Sequence, residues 1–437
     1  MILFGLVLIA IALVAVPVSR AWTGDYLPPA TIFTAAWSLS LGLYFLRLLP
    51  YPPLTATTAT LIAAASALFL GGVALGQWLL RHPAAPGTAP PGVMGANAWV
   101  LSYSAIGLAG VAWYAWLVVV ILGRAALSDP YTVRRALGTY EIPSSFLFLQ
   151  FFCLASPLLA GAFWLSGRRL SRLAIAGAVL CSLATWLTTD RTQFFTLVLG
   201  LFFMFVFSRA RRLSWTGLVA TVIVAGLLLA ANFLIIGALM GKTPANLGVG
   251  LQLPATATGG PSASPLARFM SRGSTLYLYA TASYGALNTL VADPGPRRGG
   301  VYTVYPIARL LERVGLIHGP VPPYIPGNSW LHLQGTRDIE FNGYTFLVYA
   351  LYDFGIAGAI AYAGIIGILS GAAFAWARAR RESPFGLLIV AHLSIALTLS
   401  MFVNKFNNTA SWYIAVASML PLLLGAWFPA TTRVRTD

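Results

Sequence analysis

The sequence predicts an all-α polytopic membrane protein, and three observations predict it. Hydrophobic residues fill 58% of the 437 positions and charged residues only 9%, for a mean hydropathy of +0.79. A soluble fold of that composition would leave too much apolar surface in water. The apolar residues form continuous runs of about 20, the length of a membrane-crossing helix, not the alternation of an outer-membrane barrel. Charge lies between the runs: 25 Arg and 2 Lys (Lys242 and Lys405) give a net +16, and most of the arginines flank apolar segments. Basic chains also bind nucleic acid, but arginines at helix ends point to topology and anionic lipid. The preference for Arg also suits phosphate, which a guanidinium grips with two parallel donors.

About 11 transmembrane helices (a range of 10–13) fit the chain at about 20 residues each. They lie near 2–18, 30–48, 57–80, 98–122, 146–166, 172–189, 192–208, 214–239, 354–376, 385–403 and 411–429. The first charge is Arg20, after the first run, which reads as a spanning helix and not a cleaved leader. Cys153 and Cys181 fall inside apolar runs and read as small buried hydrophobes.

Short links carry Arg168, Arg169 and Arg172, then Arg209, Arg211 and Arg212, then Arg378, Arg380 and Arg381. Placing all three in the cytoplasm satisfies the positive-inside rule. That orientation puts the N-terminus, and the long stretch 241–340, on the outer face. The organisation is then 1–240, a block of helices; 241–340, a large outer loop; and 341–437, a second block of helices. Within the loop, 243–265 is rich in Gly, Pro, Ala, Ser and Thr and reads as a flexible lid. Residues 266–291 read as a helix with Arg268, Arg272, Thr275 and Tyr279 on one face. A shorter helix near 306–316 has Ile307, Leu310, Leu311 and Val314 as its apolar side. Both are expected to lie on, or dip into, the membrane surface. Arg297 and Arg298 follow a Pro-Gly turn and read as a solvated tip.

The densest reactive stretch is 324–360. It opens as a polar loop with His332, Arg337, Asp338 and Glu340, and runs into an apolar helix. From 341 to 376 the run would reach about 54 Å as one straight helix, against about 30 Å of hydrocarbon. Its first third must therefore project above the bilayer or fold back into it. There Asn342, Thr345, Tyr349, Tyr352 and Asp353 make a polar stripe, which at membrane depth faces protein or a wet cavity. Asp353 reads mainly as structural.

These residues carry a family resemblance. Asp190-Arg191-Thr192 sits at the outer end of a helix hairpin, and Asn342-Gly343-Tyr344-Thr345 is followed by Tyr352-Asp353-Phe354-Gly355 and Gly358. With the late outer loop, this pattern over roughly 170–410 resembles the Wzy-type oligosaccharide repeat-unit polymerases, the O-antigen polymerase group of a superfamily that also holds the O-antigen ligases. The resemblance implies a GT-C-like architecture in the bacterial inner membrane, with the active site facing the periplasm. It implies a substrate of oligosaccharide on undecaprenyl diphosphate, and a metal-independent, inverting transfer. It also leaves a place for a chain-length regulator protein as a partner. In the ligases a His precedes a Gly at a spacing resembling His332 to Gly343; here Leu333 follows the His, which favours polymerase over ligase.

The chemistry this would need is present. Arg191, Arg272 and Arg337 are candidates to bind diphosphate. Glu340, His332 and Asp338 compete as the base that takes the acceptor proton. Tyr324, Tyr344 and Tyr349 are candidate sugar platforms, with Asn342 and Asn404 as further substrate contacts. No DxD pair or His/Cys cluster has metal-ligand spacing, so neither metal nor cofactor is expected. A transporter is the alternative from another class, but the spans hold almost no ionisable residues. His392 within a span reads as a helix–helix contact.

Overall fold

The structure, a computed structural model, describes residues 2–49, 51–81, 95–124, 144–187, 191–239, 265–292, 297, 299–313, 315–316, 329–331, 339–341 and 343–427. For 122, 144–148, 186–187, 191, 236–239, 265–276, 313, 329–331, 339–341, 409, 422 and 425–427 it describes the backbone alone. In chain order the elements are α1 (Ile2–Thr23), α2 (Pro29–Leu46), α3 (Ala56–Leu79), α4 (Ala96–Leu122), α5 (Ser144–Leu165), α6 (Arg172–Leu187), α7 (Arg191–Arg209), α8 (Trp215–Leu239), α9 (Pro265–Ala292), α10 (Tyr305–Arg313), β1 (Ser329–Leu331), β2 (Ile339–Phe341), α11 (Leu347–Ala379), α12 (Pro384–Leu399), a 3₁₀ turn (Lys405–Asn407) and α13 (Thr409–Trp427). Seven of these helices, α1 to α4, α7, α8 and α11, are long and apolar enough to cross a membrane. Shorter apolar helices occupy α5, α6, α12 and α13. The protein is therefore a helical, membrane-type chain.

The chain divides into two compact units. The first holds residues 1–80, 241–373 and 393–411. Its helices α1 and α2 pack side by side, and α9 lies against α2, α3 and β1. Inside a membrane, helix association depends on close packing and polar satisfaction more than on escape from water. Small residues supply the first. A Cβ on Gly72 or Gly76 of α3 would strike the Gly364 or Ile368 carbonyl, and one on Gly367 or Gly371 of α11 would strike the Phe69 or Val73 carbonyl. The two backbones therefore cross in contact. Aromatic rings fill the neighbouring space: Phe33 stacks on Phe69 at 4.0 Å, and Phe346 meets Trp37 edge-on at 5.7 Å.

Polar satisfaction comes from α9. Tyr277, Thr281, Tyr284 and Asn288 recur at helical spacing and all face α2 or the link after it. The Tyr277 hydroxyl donates to the Leu43 carbonyl at 2.7 Å and accepts the Leu48 N–H at 3.0 Å, serving the end of α2. Asn288 accepts the Thr55 N–H at 2.9 Å and donates to the Pro53 carbonyl at 3.2 Å. Thr281 accepts from Tyr51 at 2.8 Å; burial raises the Tyr51 phenol, so it stays a neutral donor. Where the sequence points to a helix at the membrane surface, the second half of α9 is thus a core element, with Thr281, Ala282, Ser283, Tyr284, Ala286 and Leu287 buried. α10 matches the expectation more closely: Tyr305 and Ala308 pack inward while Ile307 and Leu310 stay exposed.

The second unit holds residues 81–240, 374–392 and 412–437. Here α4 packs on α5 and α6, α5 on α7, and α7 on α8. Ser104 and Ser156 share a hydrogen bond at 2.8 Å, and Tyr103 donates to the Ala417 carbonyl at 2.7 Å. His392 bonds Ser418 at 2.8 Å, the helix–helix contact expected of it. Cys153 and Cys181 are free, buried and packed with Val111 and Ala184.

Candidate functional site

The site is built around α11, which is not one straight helix. Its 33 residues are broken at Gly355, whose φ of 75° and ψ of −164° lie where only glycine is at ease. Residues 356–379 then make a rod of about 36 Å, suited to a hydrocarbon core of about 30 Å. The eight residues before the break form a separate short helix. The excess length read from the sequence is accommodated by this break, and the segment does not project into solvent: positions 343–351 are all buried.

Two polar side chains, Asp353 and Arg297, fasten the short helix, and a third, Asn407, ties the 302–305 segment that Asp353 holds. The Asp353 carboxyl group, 2% exposed, accepts the Tyr302 N–H at 3.3 Å, the Thr303 N–H at 2.6 Å and the Thr303 hydroxyl at 2.7 Å. Asn407 accepts the Tyr305 N–H at 3.0 Å and donates to the Tyr302 carbonyl. Arg297 donates to the Leu351 carbonyl at 3.4 Å, and its guanidinium fills the place a Cβ on Gly355 would take. Arg297, read from sequence as a solvated tip, is exposed and also caps a helix end. Asp353→Ala is expected to leave two buried N–H groups without an acceptor, costing about 3 kcal/mol, while Asp353→Asn costs about half that. Thermal unfolding of the purified variants checks this ordering; equal melting temperatures for the three proteins would refute the role.

On the other side of the short helix, the Phe346 N–H donates to the Ser400 carbonyl at 2.8 Å, and Asn404 Nδ2 donates to the Phe346 carbonyl at 3.3 Å. Ser400 is itself tied to Trp37 Nε1 at 2.9 Å. Two polar atoms here stay unsatisfied: Thr345 Oγ1 and Asn404 Oδ1 are buried and have no hydrogen-bond partner among the described residues. Beside them Lys405 and Asn407 are also buried. A buried polar atom without a partner costs about 1–3 kcal/mol, so two adjoining the same residue, Phe346, mark a place where a polar ligand would be welcome.

The sequence candidates distribute as follows. Tyr344 and Tyr349 are both buried, and Tyr349 packs with Tyr302, Tyr305 and Ala308. Glu340 lies on β2, opposite Trp330 of β1, where the sequence reads as a loop; the strands pair antiparallel with Leu331 opposite Ile339. β1 lies against α9, the helix that carries Arg272, so the Glu340 hairpin and the Arg272 helix adjoin. Arg191 opens α7 in the second unit. Tyr324, His332, Arg337, Asp338 and Asn342 lie outside the described residues. Among the described residues, no cluster of His, Cys, Asp and Glu has the grouping to hold a metal ion.

Comparison with protein-family models, with curated proteins and with solved structures gave no match. The site's own chemistry therefore carries the functional argument. Sequence reasoning singled out the polar stripe holding Thr345, and Asn404, Lys405 and Asn407 as a last outer turn able to line the site, but did not foresee Arg297 and Asn407 as anchors. For Asn407 a signal existed: Asn404-Lys405-Phe406-Asn407 is a polar run between two apolar helices.

Proposed function

We propose that the protein is a glycosyltransferase of the Wzy type, polymerising undecaprenyl-diphosphate-linked oligosaccharide repeat units. In this reading all 11 apolar segments span the bacterial inner membrane and the site opens to the periplasm. The single observation that carries the reading is the buried short helix before Gly355, flanked by Thr345 Oγ1 and Asn404 Oδ1, which have no partner among the described residues. Fixed acceptors of this kind suit a substrate made of hydroxyl groups, which are both donors and acceptors.

The nascent chain on its lipid diphosphate is the donor, and a single lipid-linked repeat unit is the acceptor. The acceptor hydroxyl oxygen attacks the donor's anomeric carbon from the face opposite the diphosphate. A new glycosidic bond forms, the bond to diphosphate breaks, and configuration inverts. One of Glu340, His332 and Asp338 takes the hydroxyl proton. Arg191, Arg272 and Arg337 stabilise the charge that develops on the leaving diphosphate, which is why neither nucleotide nor metal is required. Tyr324, Asn342, Tyr344, Tyr349 and Asn404 form the sugar-binding wall.

The test is purified protein with lipid-linked repeat units, resolved on a gel. A ladder of lengths supports polymerisation. Transfer of single units to a foreign acceptor would move the reading to a ligase. Absence of any new glycosidic bond, together with movement of lipid-linked sugar across vesicles, would replace it with transport.

A further inference from the structure

Away from this site, the second unit brings two arginine-rich turns together. Arg209 ends α7 and Arg211 and Arg212 lie in the α7–α8 turn; Arg378 lies in the last turn of α11 and Arg380 and Arg381 in the α11–α12 turn, with Glu382 the one acid in either turn. Backbone bonds shape both turns: Arg212 and Leu213 donate to the Arg209 carbonyl at 2.8 Å each, and Ser383 donates to the Arg380 carbonyl at 2.8 Å. The turns are joined through side chains. The Arg381 guanidinium carbon stands 4.6 Å from the ring centre of Phe207, in the last turns of α7. Phe207 meets Phe374 edge-on at 5.8 Å.

Arg380 lies over Trp376 at 4.1 Å, and Trp376 packs edge-on against Phe385 at 5.4 Å. Stacking fixes the plane of a guanidinium and leaves its N–H donors pointing outward in that plane. Of the donors of Arg380, Nη1 is buried and has no hydrogen-bond partner among the described residues. The positive-inside rule asks only for charge near helix ends. It does not ask for a stacked arginine with a buried donor lacking an acceptor. Such a donor calls for an oxyanion.

We propose that the two turns form a binding site for a phosphate group, occupied by the headgroup of an anionic phospholipid. The turns close the ends of apolar helices, the depth at which lipid phosphate lies, and Trp376 is an interfacial residue type. Arg380 supplies the directed donor and its neighbours supply the field.

Native mass spectrometry of the full chain, with phosphatidylglycerol, phosphatidylcholine and inorganic phosphate as probes, tests this. The wild type is expected to retain phosphatidylglycerol over phosphatidylcholine, and Arg380→Gln to weaken that retention about tenfold, with Arg380→Lys intermediate. Arg211→Gln with Arg212→Gln removes more charge from exposed positions and is expected to cost less than Arg380→Gln alone. An equal or larger loss in that pair would reduce the effect to general electrostatics and overturn the site. Undiminished retention by Arg380→Gln would overturn it as well. Displacement of the lipid by inorganic phosphate at equal concentration would overturn the lipid as occupant.

Discussion

Arg191→Ala and Arg337→Ala are each expected to lower polymer formation by about 100-fold or more while the protein stays folded. In the proposed reaction the reason is the leaving group. Departure of a diphosphate places charge on its oxygens just as the glycosidic bond forms, and a fixed guanidinium meets that charge without reorganising. Loss of one such donor raises the barrier of the chemical step, so the defect belongs in kcat more than in KM. Lysine at either position keeps the charge but loses the planar fork, and an intermediate rate is expected. Single-turnover assays with lipid-linked repeat units check this. Wild-type rates from both alanine variants would refute the clamp.

Gly355→Val is expected to destabilise the first unit by about 3 kcal/mol or more. The residue's φ of 75° and ψ of −164° are closed to a β-branched side chain, and the Arg297 guanidinium already occupies the place a Cβ would need. Two responses are open to the chain. The helix straightens, tearing Asp353 from Tyr302 and Thr303, or the short helix unravels and exposes its buried face. Either lowers the melting temperature and opens the 297–305 segment to protease. Gly355→Ala costs less, and combining it with Arg297→Ala recovers part of the loss by removing the collision. A valine variant that melts with the wild type would show that the break is not required.

Much of the fold was legible because hydrophobic length is a strong signal. The run 57–80 became Ala56–Leu79, and 214–239 became Trp215–Leu239. The same length argument located the excess in α11, since no straight helix of that size fits a bilayer. The burial of α9 was not legible. Tyr277 and Asn288 gave no sequence signal, because the groups they satisfy, the Leu43 and Pro53 carbonyls and the Leu48 and Thr55 N–H groups, are backbone. The β1–β2 pair was missed for a similar reason: strands of three residues leave too little alternation to read. The capping role of Arg297 was not legible, because a guanidinium capping a distant helix break is set by tertiary placement. In the site, the polar stripe announced itself by lying in apolar surroundings. That Thr345 and Asn404 hold unsatisfied atoms while Asp353 and Asn407 do not is a matter of geometry alone.

The central claim is that the polar atoms beside the short helix of α11, Thr345 Oγ1 and Asn404 Oδ1, receive the glycan, and Thr345→Val tests it most directly. The substitution preserves shape and removes one buried hydroxyl that has no partner among the described residues. If that oxygen served the fold, its removal would lower the melting temperature; if it served nothing, its removal would be harmless. The account predicts a divided result: a melting temperature equal to or above the wild type, because a desolvated polar atom is gone, and a ladder of products formed about tenfold more slowly, because a sugar hydroxyl has lost its acceptor. A variant that builds the wild-type ladder at the wild-type rate would contradict it.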